Sequence, residues 1–362
     1  MDRVKSVNRV FLATILFSIA GSFLSEWIGG RTDNDLILLL FSQLILVIPS
    51  VIFLLVQRIS LGKAIRFHKI KLSNIVLIIL FAYLITPLMN FINAISLMFV
   101  QNNISNVMDN IVDNNSFLLS IFTVAFIPCI FEESVYRGIF YNEYSKINPL
   151  KGILLSAFLF GLMHGNLNQF SYAFGMGIVF ALLIEATDSI LSTMIVHFLI
   201  NGTSILLLEL YPRMMRLLEQ MYGPERFNAG ELIDSIQNGA SDAIGIDFVM
   251  QYGLTAIIPT ALAFIVYRTI AKNSGRWEYV KNIFRNKPQM EEALEVLSGS
   301  PDEPDYPERR VLKKHGFFTI SLLIGIAICI FIMISNELYT VTIPEQPLEE
   351  LPTASIFLSN LW

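Results

Sequence analysis

The sequence predicts an all-α fold, a polytopic transmembrane helical bundle of about nine spans, and three observations predict it. Of the 362 residues, 54% are hydrophobic and only 15% are charged, where a soluble domain carries about 25% charged residues. The mean hydropathy is +0.59. Apolar runs recur along the whole chain rather than in one anchor, each near the ~20 residues that cross a bilayer. The net charge of −5 carries little information, because in a membrane the placement of Lys and Arg matters more than their sum. No compact basic patch interleaves with aromatics, so no nucleic-acid partner is expected. Cys129 and Cys329 both lie in apolar runs and read as small apolar side chains rather than as a disulfide or metal pair.

The elements follow in order. The segment "MDRVKSVNRVFLATILFSIAGSFLSEW" has a basic head and an apolar run. Further spans follow it, so it reads as an uncleaved first span. Spans are expected near 10–29, 36–56, 75–100, 116–136, 150–164, 169–186, 189–208, 248–271 and 316–336. The fifth is short and is expected to be tilted or broken. The fourth contains Pro128, which lacks a backbone donor and should kink the helix just before Glu132.

The basic residues alternate between loops. Arg3, Lys5 and Arg9 precede span one, Arg58, Lys63, Arg66, Lys69 and Lys71 follow span two, Lys146 and Lys151 follow span four, and nine Lys and Arg lie between spans eight and nine. The intervening loops hold Arg31 alone, none in "QNNISNVMDNIVDNNS", none in "GNLN", and Arg213, Arg216 and Arg226 among more acids in 209–247. This pattern predicts a multi-pass protein of the cell membrane with a cytoplasmic N-terminus. One loop resists it: "EATDS" falls on the basic side and carries only acids.

The expected organisation is an N-terminal pair of spans with a basic loop (1–74), a helical core (75–210), an extracytoplasmic helical insert (211–247), two further spans with a charged cytoplasmic loop at 273–315 (248–336), and an acidic tail (337–362).

Ionisable residues inside spans are rare and usually functional, and here they cluster at helical spacing. In "EESVYR", Glu133 and Arg137 are four apart, so they share a face and can pair. Glu132 is rotated about 100° from Glu133 and is left over by that pair. In "FLFGLMHGN", Phe160 and His164 are four apart, and in "VHFLIN", His197 and Asn201 are four apart. Each motif alone also fits a structural use: an interfacial ion pair, a packing histidine, interhelical hydrogen-bond glue. Together, a glutamate, two histidines and an asparagine in one apolar bundle make a catalytic inventory. Glutamate and histidine can hold and deprotonate water, and a second histidine with an amide can donate to a developing oxyanion. No serine, threonine or cysteine is paired as a nucleophile, and no H-E-x-x-H occurs. The Pro128 kink and Gly161, Gly165, Gly175 and Gly177 can open a polar cavity to the cytoplasmic side, while ordinary close packing is the commoner use of Gly175 and Gly177.

The ordered triple E-E-x-x-x-R, F-x-x-x-H, H-x-x-x-N, present as "EESVYR", "FGLMH" and "HFLIN", resembles the CPBP intramembrane proteases. These include the type II CAAX prenyl endopeptidases and the bacteriocin-processing and immunity proteins. The resemblance covers roughly residues 75–210. It implies a peptidase acting on a membrane-associated peptide or protein in the bilayer. Glu132 would be the general base, His164 would help hold the water, His197 and Asn201 would form the oxyanion site, and Glu133 with Arg137 would orient the helix. The family is often classed with metalloproteases. Glu132, His164 and His197 would then be the zinc ligands, and the same residues can also act with no metal. The alternatives are a non-catalytic immunity or scaffold protein of the same fold, and a transporter using these groups as a proton relay.

Overall fold

The computed structural model describes residues 3–29, 35–100, 111–112, 114–223, 228, 245–285 and 316–342. These are helical throughout, with no strand among the described residues. In chain order the helices are α1 (Arg3–Gly29), α2 (Asp35–Gln57), α3 (Leu61–Ala64) and α4 (Leu72–Leu97). They continue with α5 (Phe117–Ser145), α6 (Pro149–Met163), α7 (Leu167–Thr187), α8 (Ile190–Tyr222), α9 (Ile246–Asn273), α10 (Trp277–Phe284) and α11 (Ile320–Thr342). Eight are long and apolar enough to cross a membrane, as expected where hydrocarbon offers no partner to a backbone group and each segment must satisfy its own. All nine expected spans are present as helices. The fifth, α6, has 15 residues and rises about 22 Å, less than the ~30 Å of a bilayer core.

Local chemistry sets the starts of the three helices that follow the dicarboxylate. The side chains of Asn148, Asn166 and Ser189 accept from the backbone N–H of Lys151, Gln169 and Leu191, the usual N-cap bond, and Pro149 follows its cap at a position that needs no donor. Gly165, with φ +61°, lets the chain reverse after α6 where a side chain would strain it.

Two parts differ from expectation. Residues 211–222 continue α8 without a break through Pro212 instead of starting a separate insert; 224–227 and 229–244 lie outside the described residues. The expected loop at 273–315 begins with the amphipathic α10, which buries Val280 and Ile283. Its remainder from 286, and the tail from 343, lie outside the described residues.

Two apolar clusters organise the bundle. One, around Phe11, Leu46, Tyr136, Phe140 and Phe160, joins α1, α2, α5, α6 and α11. The other, around Ile78, Phe81, Phe180, Val196 and Ile270, joins α4, α7, α8 and α9. The glycines of α6 and α7 serve close approach rather than a cavity. A Cβ on Gly177 would stand 2.7 Å from the Ala157 Cα, and one on Gly161 or Gly175 would meet Phe170 or Ile92 at 3.0 Å. Gly177→Ala is therefore expected to cost about 1–3 kcal/mol by overpacking, measured as a lower thermal midpoint in detergent with unchanged helical content.

The basic loops meet at one end of the bundle. Lys71 Nζ donates to the Asn273 carbonyl (2.6 Å), Ile190 N to the Arg66 carbonyl (3.2 Å), and Arg3 lies 3.8 Å from Glu143. The acidic loop that resisted the alternation is answered here. The wholly buried Glu185 carboxylate receives Arg66 Nη1 and the Tyr141 hydroxyl, both at 2.7 Å, and Arg276 Nη2 at 3.3 Å. Arg66 also binds Asn142 and Ser145 at 2.9 Å, and Asp188 lies 3.7 Å from Arg66 and 3.9 Å from Arg276. Burial lowers the Arg66 guanidinium, but Glu185 first, then Tyr141 and Asp188, raise it by more. It stays charged, and the knot ties α5, α7 and two loops together.

Candidate active site

The fourth span is the irregular one, and it carries the first motif. Within α5, π-helical turns at Phe122–Phe126 and Glu133–Tyr141 flank an α-helical stretch, Ile127–Glu132. The break expected at Pro128 takes this form: the proline ring crowds the carbonyl four residues back, and the wider turn just before it relieves the crowding. π-Turns within helices recur at functional sites. Glu132 stands where the second π-helical segment begins.

The carboxylates divide as the face argument predicts. Arg137 Nη1 lies 3.0 Å from Glu133 Oε1. The contact is an ion pair by distance, without hydrogen-bond alignment. The Arg137 guanidinium is held between the two cores, 4.0 Å over the Phe160 ring and 4.9 Å from the Phe180 ring, a cation–π arrangement on both faces. Glu133 Oε1 also stands 3.0 Å from His197 Nδ1. A carboxylate can only accept, so this partner places a proton on Nδ1 and leaves Nε2 facing the other way. There Nε2 stands 3.9 Å from Glu132 Oε2. Glu132 Oε1 accepts from Gln43 Nε2 at 3.1 Å. All of these side chains are buried.

His164 enters from the end of α6. Its Nδ1 lies 2.8 Å from the Phe160 carbonyl, which fixes that nitrogen as the donor, and its ring meets the Phe160 ring edge-on at 4.9 Å. Phe160 therefore anchors His164 through its carbonyl and covers Arg137 with its ring, which accounts for the F-x-x-x-H spacing. Asn336 of α11 donates to the Gly165 carbonyl at 2.8 Å and holds the turn after the histidine. Asn201, one turn beyond His197, donates from Nδ2 to the Val124 carbonyl of the first π-helical segment at 3.2 Å, which leaves its second amide hydrogen for a ligand.

The structure thus joins Glu132, Glu133, Arg137 and His197 directly, brings His164 in through Phe160, and ties Asn201 to the helix that carries the carboxylates. The zinc set fares differently. Among the described residues no three His, Cys, Asp or Glu side chains are placed to hold a metal ion, and Glu132, His164 and His197 do not converge as ligands. Cys129 and Cys329 are free and buried.

Sequence reasoning missed Gln43. It is a lone amide in "LLLFSQLILV" on α2, outside the motifs, and its polarity inside a span was the available signal. It also missed a cavity of about 370 Å³ between α4, α7 and α8, lined by Thr86, Asn90, Asn93, Asn201, Thr203 and Ser204 among others.

Residues 114–203 match the family model described as Rce1-like, type II CAAX prenyl endopeptidase. The match contains all three motifs and supports membership of the CPBP family; it covers about a quarter of the chain. Searches of the curated proteins and of the solved structures find no match.

Proposed function

We propose that this multi-pass membrane chain, whose residues 114–203 match the Rce1-like type II CAAX prenyl endopeptidases, is an intramembrane endopeptidase that hydrolyses a membrane-associated peptide or protein with a water activated by Glu132. The family match implies a peptidase. One observation carries the finer reading: the buried side chains of Glu132 and His197 stand with Oε2 and Nε2 3.9 Å apart. That gap is beyond direct hydrogen-bond reach and suits one water shared by both groups.

In this reading Glu132 takes a proton from the water as its oxygen bonds to the substrate carbonyl carbon. The carbonyl becomes an oxyanion that accepts from Asn201 Nδ2, with His197, oriented through Nδ1 by Glu133, as the second group of the oxyanion site. Glu132 then gives its proton to the leaving nitrogen as the C–N bond breaks, and the new carboxyl and amino ends separate. His164, with Nδ1 committed to the Phe160 carbonyl, has Nε2 to hold the water. No step runs through a metal. The N-terminus lies in the cytoplasm of the cell membrane in this reading, on the side of the basic loops.

His164→Ala is expected to insert normally and to lose cleavage by about 10²–10⁴-fold. Purified protein in liposomes, assayed for peptide cleavage and for solute uptake in the same sample, checks this. Uptake without cleavage would replace the protease by a transporter. Gln43 acts here as a positioning residue. A hydrogen bond to a charged group is worth about 1.5–3 kcal/mol, so Gln43→Leu should lower kcat about 10–100-fold. KM should change little, because Gln43 lies outside the cavity lining, and a KM-against-kcat comparison separates this from a general loss of packing.

A further inference from the structure

Resting on the peptidase reading, we propose that the site is served from the end of the bundle opposite the basic loops, and that it takes an unprenylated, extended peptide segment in the cavity between α4, α7 and α8. Helix geometry places the cavity. α4 begins at Leu72 beside the basic loops, where Lys71 and Asn74 bind Asn273 and Ser274. Asn90 and Asn93 stand 18 and 21 residues further on, about 27–31 Å along the axis. α8 begins at Ile190, bonded to Arg66, and Asn201 and Ser204 stand 11 and 14 residues above it, about 17–21 Å along that axis. α7 runs the other way, and its cavity residues Tyr172 and Met176 lie in its first half. Ala82 and Tyr83 on α4 and Leu199 on α8 line its inner part, so the cavity runs from the middle of the bundle towards the end away from Arg66, Glu185 and Arg276.

The basic end is packed around one buried cluster. Tyr141 and Glu185 are wholly buried, and Arg66 and Arg276 converge on Glu185 across the ends of α5 and α7. The cavity reaches the proposed chemistry at two points. Asn201 lines it, and Tyr172, also in its wall, has its ring 6.4 Å from the His164 ring. The proposal replaces the expected opening towards the cytoplasmic side: a Cβ on Gly161, Gly175 or Gly177 would meet Phe170, Ile92 or Ala157, and the cavity lies between α4, α7 and α8.

The lining chemistry selects the ligand. Beside apolar Met89, Met176, Leu199 and Ile200, the wall carries Thr86, Asn90, Asn93, Asn201, Thr203 and Ser204, which present amides and hydroxyls inside a membrane bundle. Asn93 Oδ1 accepts from Asn168 at 3.0 Å, which leaves its NH₂ for a ligand. An isoprenoid tail offers these groups no partner and would leave them dry and unpaired. An extended peptide offers one donor and one acceptor per residue, the inventory that asparagine matches with its own carbonyl and amide.

The test uses the full chain in membrane vesicles. Thr203→Cys reports the cavity and Lys151→Cys reports the basic end, each in the Glu132→Gln background, with the unsubstituted chain as control because Cys129 and Cys329 are buried. A membrane-impermeant maleimide is applied to right-side-out and to inverted vesicles. The expected result is that Thr203→Cys reacts from the side opposite to Lys151→Cys, and that an acetylated hydrophobic decapeptide slows its labelling while farnesylcysteine does not. Reaction from the Lys151 side overturns the direction of entry. Protection by farnesylcysteine, or by neither probe, overturns the substrate class. Labelling reports access whether or not the chain cleaves anything, so these results stand apart from a failure of the peptidase reading, which appears as cleavage that survives Glu132→Gln.

Discussion

Glu132→Gln is expected to remove proteolysis by about 10²–10⁴-fold while helical content, membrane insertion and thermal midpoint stay the same or rise. The substitution keeps the shape of the side chain and replaces a buried carboxylate by a neutral amide, which is cheaper to bury. The Gln43 amide still has a carbonyl to bond. What is lost is the ability to accept a proton from water and return it to the leaving nitrogen. Glu132→Asp separates charge from placement: it keeps the carboxylate but withdraws it by one methylene, and a displacement of about 1 Å can cost about 100-fold. Cleavage by purified protein in reconstituted membranes, with circular dichroism on the same sample, checks both. A stable Glu132→Gln protein that cleaves at the native rate removes Glu132 from the chemistry.

Glu133→Ala acts by a different route and should damage the fold. Arg137 is buried between Phe160 and Phe180 with Glu133 as its charge partner at 3.0 Å. Deleting one member of a buried pair leaves an uncompensated charge and costs about 3–5 kcal/mol. Glu133 also holds His197 Nδ1, so its loss frees the imidazole to change tautomer and direction. The two roles separate in a double variant. Glu133→Leu with Arg137→Met should recover most of the stability, because hydrophobic replacement of a whole buried pair is often neutral or better. It should not recover cleavage, because His197 has still lost its acceptor. A thermal midpoint and a cleavage rate measured on the three proteins distinguish this from a purely structural pair, for which stability and activity would return together.

Much of this was legible in the chain. Nine apolar runs became nine helices because a membrane segment has few ways to satisfy its backbone. The Glu133–Arg137 pairing survived the π-helical turn, because side chains four apart remain neighbours there. The opacity lay in long sequence separations and in direction. Gln43 meets Glu132 across 89 residues, and Arg66 meets Glu185 across 119; neither spacing leaves a periodic trace. The acidic "EATDS" loop looked like an exception to the charge rule until its partners were placed around it. Glycine spacing signals close approach but not which neighbour fills the gap: Gly177 packs against Ala157 as the commoner use of such a glycine suggested, while Gly161 left open an opening where Phe170 stands. Pro212 was no stop for α8, which runs on to Tyr222.

The central claim is that a carboxylate buried at position 132 activates water for peptide hydrolysis. The most direct test is mass spectrometry of the N- and C-terminal peptides in membranes of cells that make equal amounts of the native chain or of Glu132→Gln. The account predicts a set of new paired termini, one carboxyl and one amino end from each cut, present with the native chain and absent with the variant. Identical termini in the two membranes would contradict it.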